Sequence, residues 1–125
     1  MQSYHNLRVS ARAREVIRAT YRFTAVFPRS EQFGLTAQMR RAAVSSGLNI
    51  VEGCSRDSTR ELIRFLQVSA GSAMELEFTL VIAADLGYGS EVDNRQLMDL
   101  NTVLQKELSA LVGSLRSRLR KGSRE

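Results

Sequence analysis

Cysteine, histidine and proline occur once each in this 125-residue chain, as Cys54, His5 and Pro28, and tryptophan is absent. A lone cysteine excludes an internal disulfide framework. A lone histidine removes most metal sites and most histidine-based catalysis. No proline follows Pro28, so nothing interrupts long helices over the rest of the chain. No stretch approaches the roughly 18 consecutive apolar residues of a membrane span. The N-terminus lacks the apolar core, about 7–15 residues long, of a secretory signal. These absences lead us to expect a reduced, cytoplasmic protein with no membrane partner. Phosphate-loop, dinucleotide, nucleophile-elbow and zinc-protease motifs are also missing, which leaves no catalytic residue, cofactor site or metal site to name. We therefore expect a protein that is not an enzyme.

What remains is an ordinary globular balance, 43% hydrophobic and 25% charged, with a net charge of +5. The length fits a single domain over residues 1–125. Of the 18 basic residues, 16 are arginine. Arginine presents a planar fork of donors that suits phosphate.

Four amphipathic segments follow from punctuation and period. From Asn6 to Phe27, residues Val9, Ala13, Val16, Ile17, Thr20, Phe23 and Phe27 fall in one arc of about 120° on a helical wheel. Arg8, Arg12, Arg14, Arg18, Arg22 and Glu15 occupy the other side, and Phe27-Pro28 stops the helix. A second helix is predicted from Leu35 to Glu52, with Thr36 as its N-cap and Gly53 as its terminator. It carries two apolar faces: Met39, Ala42, Ala43, Ser46 and Ile50 on one, Val44, Leu48 and Val51 on another. A third begins at the capping box Ser58-Thr59-Arg60-Glu61 and runs to Leu86 before Gly87. Its core stripe is Leu62, Phe65, Leu66, Ser69, Ala73, Leu76, Leu80, Ala83 and Ala84, while Phe78 and Ile82 project from its back. The fourth is predicted from Ser90 to about Leu119, with Leu97, Leu100, Leu104, Leu108, Leu111, Leu115 and Leu119 three and four apart. Beyond Arg116 a basic tail with Arg118, Arg120, Lys121 and Arg124 is expected to fray.

Four helices with short connections predict an all-α, antiparallel, up-and-down four-helix bundle. The second and third helices carry more apolar surface than one bundle needs, which predicts self-association through Met39, Ala43, Ile50, Phe78 and Ile82. Cys54 is expected to be an unreactive residue of the turn between them. Glu75 and Glu77 lie two apart and cannot face each other on a helix, so they form no carboxylate pair for catalysis or metal. Arg40 and Arg41 are expected to make structural ion pairs with carboxylates such as Glu52 and Glu75. Arg8, Arg12, Arg18 and Arg22, supported by Arg116, Arg118, Arg120 and Lys121, are the candidate contacts to nucleic-acid phosphates. No helix-turn-helix or aromatic stacking cluster is evident, so binding should be led by the backbone. The alternative is an adaptor whose basic face meets an acidic protein.

The ordered blocks Phe27-Pro28, Glu31, Phe33-Gly34-Leu35-Thr36, Gln38 through Ser45, Asn49-Ile50, Glu52-Gly53, Arg56, Ser58 and Glu61-Leu62 carry a resemblance. It continues through Arg64-Phe65-Leu66, Gly71-Ser72, Glu75-Leu76-Glu77 and Leu86-Gly87-Tyr88. Together they resemble the bacterial four-helix-bundle proteins encoded in intervening sequences of 23S ribosomal RNA genes. The accessory variability determinant of diversity-generating retroelements is similar to that family. The resemblance implies a bundle assembled as a homopentamer, with no catalytic activity. In the retroelement branch it also implies binding to RNA or DNA and to a reverse transcriptase. The family often has an Ile-Pro pair where this chain has Ser46-Gly47, which implies a softened kink here.

Overall fold

The structure, a computed structural model, describes residues 3–123. Four helices follow one another: α1 (Arg8–Thr24), α2 (Leu35–Cys54), α3 (Thr59–Leu86) and α4 (Glu91–Ser123). A short 3₁₀ turn, Tyr4–Asn6, leads into α1, and another, Arg29–Glu31, lies before α2. Each helix packs on its neighbours in ring order, α1 on α2, α2 on α3, α3 on α4 and α4 back on α1, with no close backbone approach between diagonal pairs among the described residues. This is the expected up-and-down bundle, and its core is built largely from the predicted stripes, except that Ala84 is exposed and Phe65 only partly buried. Val9, Ala13, Val16 and Phe23 meet Met39, Ala43 and Ile50, then Leu66, Leu76 and Leu80, then Leu97, Leu104 and Leu108.

The caps explain where the helices begin and end. Ser58 Oγ accepts the Glu61 backbone N–H at 3.1 Å, as its capping box predicts. Gly87 takes the left-handed conformation at φ 73°, and the Tyr88 N–H reaches back to the Ala83 carbonyl at 2.9 Å, closing α3. Ser90 Oγ accepts the Asp93 N–H at 3.0 Å to start α4.

Several boundaries differ from expectation, among them the end of α2, which runs through Gly53 to Cys54. The first helix ends at Thr24, and Phe27 is nevertheless buried beside Phe23 and Tyr88. Thr36 does not cap α2; it is buried inside it, and the Glu31 side chain accepts the Leu35 N–H at 3.0 Å instead. The other Glu31 oxygen accepts the Tyr88 hydroxyl at 3.0 Å, so one carboxylate ties the α1–α2 connection to the α3–α4 turn. That bond, followed by burial, raises the Tyr88 phenol above its ordinary value. The tail from Arg116 does not fray: α4 stays helical to Ser123, with Leu115 in the core and Leu119 against it. Arg124 lies outside the described residues.

The α2–α3 seam is built from small residues. Ser69 Oγ donates to the Ser46 carbonyl at 2.7 Å, and the Ser45 and Ser72 hydroxyls meet at 2.8 Å. Gly53 lies within α2, where a Cβ would stand 2.9 Å from Phe65 Cβ. Ile63, Ser72 and Thr79 of α3, which the stripe did not include, are also buried. By length and composition α3 could cross a bilayer, with a mean hydropathy of 1.2 over 18 residues. One face of it, with Leu66, Leu76 and Leu80, is spent on the bundle core. Asn101 is fully buried on α4 and donates to the Ala73 carbonyl at 2.8 Å across the α3–α4 contact.

Cys54 is not a turn residue. It is the last residue of α2, buried in the core, and burial pushes its thiol up from the ordinary value. Cys54→Ser should therefore cost about 1–2 kcal/mol in chemical denaturation, because a hydroxyl enters an apolar position. A native-like midpoint for that variant would show that the site tolerates a polar atom.

Candidate nucleic-acid interface

The outer side of α1 is set by its period. With Val9, Ala13, Val16 and Thr20 inward, Arg8, Arg14, Arg18 and Arg22 are forced outward, and all four are exposed. None of them forms an ion pair among the described residues. Arg14 belongs to this set although it was not among the candidates.

Arg12 leaves the set. Its Nε donates to Glu107 Oε1 at 2.8 Å and its Nη1 to Glu15 Oε2 at 3.1 Å. The Glu107 bond raises the Arg12 guanidinium further above its ordinary value. This residue joins α1 to α4 and has two carboxylates where a phosphate would have to sit.

At the other end of the sequence, Arg116, Arg118, Arg120 and Lys121 stand exposed on the last turns of α4. The Arg12–Glu107 contact fixes the offset of the antiparallel pair, so α4 runs on past the start of α1 by about 18 Å. The overhang lies beside the α2–α3 turn: Arg118 and Leu115 line a shallow cleft of about 140 Å³ together with Arg56, Ser58 and Thr59. Tertiary structure thus gathers Arg8, Arg56, Arg60 and the α4 cations at one end of the bundle. The opposite end carries Asp85, Glu91 and Asp93 together with Arg29 and Arg95.

The expected structural ion pairs are not formed. Arg40 has no carboxylate partner among the described residues; its Nε donates to Thr24 Oγ1 at 2.9 Å and its guanidinium lies 4.5 Å over the Tyr21 ring. Arg41 and Glu75 are exposed and form no ion pair among the described residues. Glu52 pairs with Arg56, one turn further on. The reason is the α2–α3 offset. Ser45 faces Ser72 and Gly53 faces Phe65, and on this register Arg40 turns to the α1 side rather than to α3. Glu77 stands apart from Glu75, turned toward α4, where Gln105 Nε2 lies 3.3 Å from its Oε1. No group of three or more His, Cys, Asp or Glu side chains arranged for a metal occurs among the described residues.

The expected contact residues between copies divide sharply. Met39, Ala43 and Ile50 are fully buried in the chain's own core, which removes them from any surface a second copy could touch. Ile82 is half-buried, while Phe78 is 65% exposed and shares α3's outer side with exposed Met74 and Val81. On α2 the exposed apolar residues are Leu48 and Val51, from the second of its two faces. The sequence period showed both faces but not which one the bundle would consume.

No curated protein matches the chain. Among solved structures, a protein of unknown function from the S23 ribosomal protein family of Bacteroides thetaiotaomicron has the same fold, with a TM-score of 0.76 and 21% identity over 84% of this chain and 95% of that one. The family model described as 23S rRNA-intervening sequence protein matches residues 5–110, from the turn before α1 well into α4. With the four-helix bundle and that match over most of its length, the chain belongs to the 23S rRNA-intervening sequence protein family.

Proposed function

We propose that the protein is a non-enzymatic, self-associating scaffold that holds nucleic acid through arginine–phosphate contacts. The observation that carries this reading is the set of exposed arginines without carboxylates: Arg8, Arg14, Arg18 and Arg22 on α1, continued by the cationic overhang of α4. A carboxylate within reach would neutralise each guanidinium; free ones are available to phosphate oxygens. Self-association multiplies the effect. In the ring of five that the family resemblance implies, the +5 of one chain recurs around the assembly, and repeated weak contacts gain avidity without a new contact type.

Phosphate-led binding releases counterions, so affinity should fall steeply with salt. If about six phosphates are neutralised on a duplex, the log–log slope is near −5. Fluorescence anisotropy with labelled RNA and DNA across a salt series measures it. Replacing Arg14, Arg18 and Arg22 together with glutamine should flatten the slope and weaken binding on every sequence tested. Absence of binding by the native protein at low salt would overturn the reading and leave an adaptor for an acidic protein as the better one.

A further inference from the structure

We propose that the seam between α1 and α2 is where a nucleic-acid strand lies, and that it takes unpaired nucleotides whose bases stack on two aromatic platforms. This rests on the nucleic-acid reading above and adds the class of strand and the residues that select it.

The first platform is Tyr21 with Arg40. The guanidinium carbon lies over the ring, 4.5 Å from its centroid, and the Nε is anchored on Thr24 Oγ1 at 2.9 Å. Tyr21 is nevertheless 43% exposed. Arg40 forms no ion pair among the described residues, and the one carboxylate of the α1–α2 connection, Glu31, already accepts the Leu35 N–H and the Tyr88 hydroxyl. The only acid of α1, Glu15, is bonded to Arg12 on the α4 side, and the only acid of α2, Glu52, is bonded to Arg56. A flat, immobilised guanidinium beside an exposed phenol ring costs little entropy to stack upon, because its conformation is already fixed.

The second platform stands at the other end of the same seam. Tyr4 and His5 lie against each other with ring centroids 4.0 Å apart and planes tilted by 32°, and both are exposed. With Ser10, Ala11 and Arg14 they line a cleft of about 210 Å³. Arg14 and Tyr21 lie on one side of α1, seven residues and about 10 Å apart along the axis. Arg18 lies between them, exposed and without an ion pair. Two cations, Arg14 and Arg18, therefore lie between the two ring sites along the seam. In a duplex the base faces are occupied by their neighbours, whereas an unpaired strand can offer phosphates to Arg14 and Arg18 and bases to the rings.

The test uses the full chain with a short labelled single strand and with the same sequence closed into a hairpin duplex. Tyr21→Ala should weaken the single strand about tenfold, and leave the duplex affinity unchanged. Tyr21→Phe should keep both. Arg40→Lys retains the charge but loses the planar stack, so it should also weaken the single strand selectively. This variant decides the matter if Tyr21→Ala fails to fold. A strand carrying 2-aminopurine should be quenched on binding the native protein and not on binding Tyr21→Ala. The chain has no tryptophan to obscure the signal. Equal losses on strand and duplex, or no selective loss in Arg40→Lys, would overturn the stacking site while leaving phosphate-led binding intact. Failure of the native protein to bind either form would instead overturn the nucleic-acid reading itself.

Discussion

Gly53→Ala should destabilise the bundle by about 2–3 kcal/mol, although alanine is the better helix former. Gly53 sits inside α2, and an added Cβ would lie 2.9 Å from Phe65 Cβ, 3.0 Å from Leu62 Cδ1 and 3.3 Å from the Leu62 carbonyl. Two of those three atoms are fixed to the backbone of α3 and cannot rotate away. The helices would have to separate, and separation stretches the Ser69–Ser46 and Ser45–Ser72 hydrogen bonds further along the seam. Gly113→Ala on α4 is the control, since nothing lies within 4 Å of a Cβ there. That change should stabilise by up to about 1 kcal/mol through helix propensity alone. Urea denaturation of the two variants gives the comparison. If both shift the same way, the close approach of α2 and α3 is not what holds Gly53 in place.

In the self-associated form proposed above, Phe78→Asp should convert the assembly to a 14.0 kDa monomer with unchanged helical content. Within one chain Phe78 is 65% exposed, so the substitution removes nothing from the core. Between chains it would bury an unpaired carboxylate against apolar surface, which costs about 3–5 kcal/mol at each contact. Size-exclusion chromatography with light scattering and circular dichroism reads both quantities. Met39 and Ile50 cannot serve in this experiment, because a charge at either fully buried position would unfold the chain rather than dissociate it. An unchanged assembly mass would take Phe78 out of the contact between copies and direct attention to Leu48 and Val51.

Much of the architecture is local physics and was readable residue by residue. The apolar stripe of α1, the leucines of α4, the Ser58 cap and the left-handed Gly87 each depend on neighbours within one or two helical turns. The outward direction of Arg8, Arg18 and Arg22 follows from the same period. Which of two apolar faces a helix buries is a different kind of fact. Met39, Ala43 and Ile50 went inside and Leu48 stayed out, because α2 must meet α1 and α3 at once, and the small residues of one side alone permit that approach. Likewise, whether an arginine is free depends on a partner far along the chain. Arg12 is taken by Glu107, 95 residues away, and Arg40 is left over Tyr21 instead of a carboxylate. The amino-acid sequence by itself determined four helices, the Ser58 and Gly87 caps of α3 and a basic outer side. Only the tertiary structure decided which cations remain available and which aromatic rings stand beside them. Helix offset and rotation set those distances, and both are fixed by packing across the whole bundle rather than by any local run of residues.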